Sequence, residues 1–300
     1  MKLHISTSIN TVFTKVLDMI TMSPLKLDVL QKSEHKIVFV TEGISIEMIN
    51  AIRRILISEI PVMAIDEIII LRNDSPLYDE IISHRLGLIP LKTDLDAYKL
   101  PHECECLGYG CPLCQVSLTC EITNTTNAPL EIYSGDLISN DPKIVPVDPY
   151  IPIVKIDKND KVIIEAYAIL GFAKNHAKWQ AVSNVAYRHY PLVEFDPNEF
   201  KDLEEKELIV KMCPKKLFEL VNNDSLKLKE DYWKSCTLCM SCENVSNGKI
   251  KVVPKKGAYI FSIESDGVLP FNVLIRKVFE IFSEKIDEFV LKLEELEIEP

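Results

Sequence analysis

The pattern of apolar and polar positions predicts an amphipathic helix near the start of the chain. Beyond Ser45, apolar residues recur at the spacings i, i+1, i+4, i+7 and i+8, which is the stripe of one helix face. Ser45 is placed to cap this helix and Pro61 to end it, so the prediction is a helix over residues 45–60. The residues on its stripe include Met48, Ile49, Ile52, Ile55 and Leu56.

A second and longer amphipathic helix is predicted at the C-terminus. Apolar residues alternate at spacings of three and four from residue 271 to residue 296. They include Phe271, Leu274, Ile275, Val278, Phe282, Ile286, Phe289 and Leu293. A helix of about 26 residues is roughly 40 Å long, more than a small domain buries by itself. We therefore expect it to pack on a partner subunit, the alternative being that it lies along the chain's own sheet.

Between the two helices, the composition predicts short strands and irregular loops. The predicted strands are residues 25–30, 36–41, 66–71, 116–122, 162–170, 249–253 and 258–263. Residues 135–152 hold four prolines and predict an irregular loop. About twenty N-terminal residues show no clear period, and Met22 is an alternative start. The fold class is therefore α+β, with a discontinuous α/β domain interrupted by a mostly-β insert.

Composition and charge narrow the class of protein. Of 300 residues, 47% are hydrophobic and 26% charged, as in ordinary globular proteins. Forty-five acids against 34 bases give a net charge of −11, the wrong sign for a chain that neutralises phosphates by itself. The sequence shows neither an apolar run long enough for a bilayer nor a secretory signal, so we expect a soluble cytoplasmic protein without membrane contact.

The second group of cysteines has the spacing of an iron–sulfur site. Cys236, Cys239 and Cys242 follow one another at intervals of three, and a Cys-Pro pair occurs earlier at Cys213. These four thiolates predict one cluster, with [4Fe–4S] favoured and [3Fe–4S] expected where one iron is labile. The strand-like segments 207–211, 226–229 and 248–253 suggest a ferredoxin-like module around it. The alternative is a structural zinc site with four cysteine ligands.

The first group of cysteines has the spacing of a zinc loop. Four thiols fall within eleven residues, at Cys104, Cys106, Cys111 and Cys114. Gly108 and Gly110 between the pairs permit the tight reversal that tetrahedral ligation needs. Free thiols and disulfides are the alternatives. Cys120 lies in strand-like sequence and is expected to be a buried apolar residue.

Motifs of catalysis are absent from the sequence. It contains no phosphate-binding loop, no nucleophile elbow, no His-Glu-x-x-His and no aspartate cluster for two metal ions. The chain therefore reads as a scaffold without catalytic residues. The competing class is an electron-transfer protein with a ferredoxin domain.

Several segments together resemble one family of proteins. They are residues 50–61, 63–66, 79–91, 133–137, 145–147 and 174–179. The combination resembles the assembly subunits of multisubunit RNA polymerases, the family of the archaeal D subunit, the bacterial α N-terminal domain and their eukaryotic counterparts. Residues 176–180 and 186–191 are similar to the archaeal members. A eukaryotic member shared by polymerases I and III is the alternative within the family.

The resemblance implies domains and partners. It implies a dimerisation domain formed by residues 22–66, 180–203 and 255–300. An inserted domain with the cysteine-rich loop would comprise residues 67–179, and a ferredoxin-like domain would comprise residues 204–254. The helix from Ser45 and the terminal helix would pair with the small L-type subunit. The small N- and P-type subunits and the second-largest and largest catalytic subunits would then join, and DNA would be met only through the complex. Some members of the family carry ligands for two iron–sulfur clusters, whereas this chain has ligands for only one.

Overall fold

The structure is a computed structural model that describes residues 25–221 and 225–298, with side chains described as far as residue 295. The expectations for the first twenty residues and for Met22 lie outside this part of the chain. The fold is mixed α/β and consists mostly of strands. Among the described residues, no helix combines the length and the apolar character needed to cross a membrane.

The strands are β1 (Lys26–Lys32), β2 (Lys36–Glu42), β3 (Val62–Asn73), β4 (Gln115–Thr123), β5 (Leu130–Tyr133), β6 (Ile138–Ser139), β7 (Pro152–Ile156), β8 (Lys161–Gly171), β9 (Asn184–Glu194), β10 (Phe218–Val221), β11 (Ser225–Leu228) and β12 (Lys251–Glu264). The helices are α1 (Ile46–Ser58), α2 (Asp79–Gly87), α3 (Leu203–Met212), α4 (Ser241–Val245) and α5 (Phe271–Ile298).

The chain divides into two compact units, each with its own core. The described residues of the first unit are 25–30, 38–49, 187–221 and 225–261. Most of a sheet with the order β1-β2-β12-β9 belongs to it, together with the antiparallel hairpin β10-β11. One of its cores consists of the buried residues Phe200, Ile209, Cys213, Leu217, Phe218, Leu226, Cys236, Cys242, Ile250 and Val252.

The second unit comprises residues 31–37, 50–186 and the described residues from 262 onward. Its main sheet has the order β3-β8-β4-β6 and is antiparallel throughout. Strand β8 lies between β3 and β4, and its side chains alternate between buried and half-buried because successive residues point to opposite faces of the sheet. The core includes Met63, Leu86, Leu118, Ile164 and Cys120, and Cys120 is thus buried, as the sequence predicts.

The helix predictions and most strand predictions are confirmed. The expected cap is present, since the Met48 backbone N–H donates to Ser45 Oγ at 3.3 Å. The terminal helix extends over 28 residues. The predicted strands at 36–41, 66–71, 116–122 and 162–170 fall within β2, β3, β4 and β8, residues 26–30 of the predicted strand 25–30 lie in β1, and residues 226–228 lie in β11.

Two expectations about local structure are wrong, and one helix was not predicted. Residues 207–211 are helical in α3, because Lys206 and Ile209 share a buried face in a segment that opens with acidic residues. Residues 251–264 form one strand rather than two, with Gly257 at a φ of 70°. The sequence reading also missed helix α2, whose buried Ile82 and Leu86 are spaced by four.

Candidate metal centres

The first group of cysteines converges on one point in the second unit. The thiol sulfurs of Cys104, Cys106, Cys111 and Cys114 all lie within 4.8 Å of one another. The Sγ–Sγ distances are 3.5 Å for Cys104 and Cys111, 3.4 Å for Cys106 and Cys114, and 3.7 Å for Cys111 and Cys114. Cys104 and Cys114 are buried, and the other two are partly exposed.

These distances fit a single tetrahedral ion. Zinc binds thiolate sulfur at about 2.3 Å, which separates the sulfurs of a tetrahedron by about 3.8 Å. A disulfide needs about 2.05 Å between its sulfurs, and all nine cysteines, which lie within the described part of the chain, are free thiols. The donor set and its spacing therefore suit zinc, and the disulfide alternative has no support in this geometry.

The backbone between the two cysteine pairs is shaped for this convergence. Leu107, Gly108 and Gly110 have positive φ values of 53°, 84° and 87°. A Cβ added at Gly110 would lie 2.2 Å from Gln115 Oε1, which is the flexible end of a side chain, so the positive φ and not the space is what favours glycine there. The reversal expected between the pairs is confirmed.

Replacement of Cys114 by serine is expected to lower zinc affinity about a hundredfold. Cys114 is 1% exposed and contacts two other thiols of the group, so a serine there removes a thiolate that solvent does not replace. Metal analysis and a competition titration with a chromophoric chelator measure the effect. Cys120→Ala is the control, because Cys120 is buried outside the group. Unchanged zinc content in the Cys114 variant would contradict the assignment.

The four cysteines of the second group lie on three elements of the first unit. Cys213 is the C-terminal cap of α3, and Cys242 lies in α4. Cys236 and Cys239 lie in the loop before α4, which Leu238 and Met240 turn with φ values of 54° and 61°. Cys239 is exposed, whereas the other three thiols are buried.

All four thiols line one small cavity, and most of its other walls are apolar. Burial raises the pKa of Cys242 to about 11 and also raises the pKa of Cys236. Hydrogen bonds from Ser241 lower the pKa of Cys239. A bound metal would have to stabilise the buried thiolates, as metals do when they displace the thiol protons.

The two cysteine groups therefore differ in geometry. Among the described residues, the first group is the one set of three or more potential ligands close enough for one ion. The thiols of the second group line one cavity but do not converge closely enough for one ion, and this wider arrangement suits a group with several metal atoms better than a single zinc ion. The residues present are compatible with a four-thiolate iron–sulfur cluster.

Sequence reasoning missed one residue at the second group. Arg188 of β9 contacts the backbone of the loop that carries Cys236, although 48 positions separate the two residues. No local spacing could identify this contact, because it arises when a strand and a distant loop are brought together.

The structure divides the residues predicted for a partner interface into three classes. Ile49, Ile52, Ile55, Leu56, Leu274 and Val278 are buried within the chain. Met48, Phe271, Ile275 and Phe282 are half-buried. Ile286, Phe289 and Leu293 are exposed by 40%, 60% and 42%.

Comparison with known proteins identifies the family. The sequence model of the RNA polymerase Rpb3/RpoA insert domain matches residues 64–188. A DNA-directed RNA polymerase subunit Rpo3 from Methanosphaera stadtmanae is 39% identical over 274 residues, which cover 89% of this chain and 97% of that protein. The chain belongs to the Rpo3 family.

Two further Rpo3 proteins agree with this assignment. The protein from Methanopyrus kandleri is 32% identical, covering 91% of this chain and 98% of its own length, and that from Pyrobaculum arsenaticum is 35% identical, covering 89% and 96%. As an Rpo3 family member, the chain is a non-catalytic subunit of DNA-directed RNA polymerase, as its lack of catalytic motifs predicts. Neither the electron-transfer class nor the eukaryotic shared subunit is favoured.

Proposed function

We propose that this Rpo3 chain is the scaffold on which the polymerase assembles. It pairs with the small L-type subunit, recruits the small N- and P-type subunits, and then docks onto the second-largest and largest catalytic subunits. The dimerisation, inserted and cluster domains would occupy the residue ranges given above, and the complex would act in the cytoplasm.

The exposed half of α5 carries this proposal. The helix has 28 residues and is about 42 Å long. Its apolar stripe is buried at Leu274 and Val278, but Ile286, Phe289 and Leu293 continue the same stripe in solvent. Apolar side chains in such a row are covered by partners in stable proteins. We infer that the L-type subunit covers them.

A second surface is suited to dock a catalytic subunit. Residues of the segments 79–91 and 174–179 line one pocket of about 310 Å³, and these include Ser83, His84, Gly87, His176 and Lys178. Lys178 Nζ donates to the Ile65 carbonyl oxygen at 3.1 Å and pairs with Asp66 at 2.5 Å. Because 13% of the Lys178 side chain is exposed, this pair holds the pocket wall in one arrangement. We infer that this wall contacts a large subunit.

The metals have structural roles in this proposal. Zinc on the first cysteine group would fix a loop that has little core of its own. A cluster on Cys213, Cys236, Cys239 and Cys242 would hold α3, α4 and the β10-β11 hairpin together. The cluster is proposed as [4Fe–4S], with [3Fe–4S] as the form left when one iron is lost.

Affinity purification of the tagged full-length chain tests the function. The L-type, N-type and P-type subunits and both large polymerase subunits are expected to co-purify at near-stoichiometric amounts, identified by mass spectrometry. The chain expressed without partners is expected to aggregate or self-associate through the exposed stripe. A monodisperse chain that ignores the L-type subunit when the two are mixed would refute the proposal.

A further inference from the structure

The loop that carries the second cysteine group is bound by one arginine from a neighbouring strand. Arg188 Nη1 donates to the Cys236 carbonyl oxygen at 2.9 Å, and Nη2 donates to the Lys234 carbonyl oxygen. A single guanidinium thus holds two carbonyl groups of the short turn that leads into the first thiol of the loop. The planar fork of arginine suits such a paired contact, which lysine cannot reproduce.

An aromatic contact on the same strand fixes the other side of this turn. Tyr190 lies two residues after Arg188, and side chains two positions apart on a strand share one face. The Tyr190 ring stacks on Trp233 with centroids 5.4 Å apart and an interplanar angle of 20°. One face of β9 therefore contacts the turn at two places: the Tyr190 ring packs on residue 233, and the Arg188 guanidinium binds the backbone of residues 234–236.

The guanidinium also places a positive charge beside Cys236, and Lys215 is a second cationic residue in the lining of the cavity. Burial lowers the pKa of Arg188, and the neighbouring Cys236 thiolate opposes this effect. Arginine nevertheless stays protonated in proteins. Arg188 is half-buried, and a partly desolvated cation is stabilised by a nearby anion such as a site with four thiolates. Hydrogen bonds and net charge around a cluster are known determinants of its potential.

We propose that Arg188 is the positioning residue of the second cysteine group. It holds the backbone of residues 234–236 so that the Cys236 thiol faces the cavity, and its charge favours the reduced form of a cluster bound there. The inference rests on the iron–sulfur assignment proposed above, and it concerns a residue that is not itself a ligand.

Two substitutions separate the backbone contact from the charge. Arg188→Gln removes the charge and the paired donors, whereas Arg188→Lys keeps the charge and loses the fork. Lys234→Gln is the matched control, because it removes a positive charge from the same loop at a side chain that is 52% exposed and leaves the Lys234 carbonyl oxygen in place. All proteins are purified anaerobically as full chains with the L-type subunit.

Two measurements are made on each protein. The first is the half-time of iron loss to a chelator, expected to be at least tenfold shorter in Arg188→Gln and intermediate in Arg188→Lys. The second is the midpoint potential of the cluster that remains, titrated with dithionite and followed by electron paramagnetic resonance. It is expected to shift to more negative values in Arg188→Gln and to stay near the wild-type value in the other two variants.

The outcomes distinguish failure of the proposed role of Arg188 from failure of the iron–sulfur assignment. Iron retention and potential at wild-type values in Arg188→Gln would overturn the role of Arg188 while leaving the cluster intact. An equal shift of the midpoint potential in Lys234→Gln would show that any positive charge in the loop has the same effect. That result would also overturn the role of Arg188. If Arg188→Gln does not fold, the test depends on Arg188→Lys. Iron loss at the wild-type rate in that variant would contradict the positioning role of Arg188. Wild-type protein without iron would refute the cluster assignment itself.

Discussion

Replacement of Phe289 by aspartate is expected to weaken binding of the L-type subunit by roughly 10²- to 10³-fold, which is about 3–4 kcal/mol. Phe289 is 60% exposed and follows Val278 by eleven residues, or about three helical turns, so both lie on one face of α5. Burial of a phenylalanine contributes about 1.5–3 kcal/mol, and an aspartate at the same place would have to lose its hydration. Isothermal titration of purified subunits measures the change.

The helix itself supplies a matched control for this substitution. Leu291 is also 60% exposed, but two positions along a helix correspond to about 200° around its axis. Leu291→Asp therefore introduces the same charge into the same helix away from the stripe, and binding is expected to stay within twofold of wild type. Equal losses in both variants would show that helix charge, and not the stripe, determines the affinity.

Replacement of Cys242 by serine is expected to abolish stoichiometric iron and to raise amide exchange in α3, α4 and the β10-β11 hairpin by about a hundredfold. Three of the ten buried residues in this small core are cysteines. A core of this size supplies little stabilisation without a bound metal, so loss of one ligand removes much of what holds it together. Hydrogen-exchange mass spectrometry of anaerobic protein measures the effect.

The first cysteine group provides the reciprocal control. Cys114→Ser is expected to lose zinc and keep iron, whereas Cys242→Ser is expected to lose iron and keep zinc, because the two groups lie in different units. Treatment of wild-type protein with an iron chelator should reproduce the exchange profile of Cys242→Ser. Unchanged protease resistance and exchange after iron removal would mean that the cluster does not hold this region folded.

Local periodicity was sufficient for the long elements and insufficient for short ones. The stripes of α1 and α5 recur over several turns, so chance agreement is small. Residues 207–211 include adjacent Leu208, Ile209 and Val210, a short apolar run that suits a strand as well as a helix. The core around the buried Ile209 decides the outcome, and it includes residues distant in the sequence such as Leu226 and Ile250.

The metal sites show the same division between local and distant information. The first group depends on residues that are close together in the sequence, namely its four cysteines and the turns at Gly108 and Gly110. The convergence of its thiols could therefore be predicted. The contact between Arg188 and the Cys236 carbonyl joins a strand to a loop, and no pattern in the sequence marks it.

The amino-acid sequence by itself determined the long amphipathic helices, the two groups of thiols and the membership of a polymerase family, because periodicity, spacing and motifs are properties of neighbouring residues. The tertiary structure decided which part of each stripe the chain buries for itself. Val278 and Phe289 have equivalent places on one helix face, yet one is fully buried and the other is 60% exposed. That difference depends on where the chain's own core ends, which only the packing of distant elements sets.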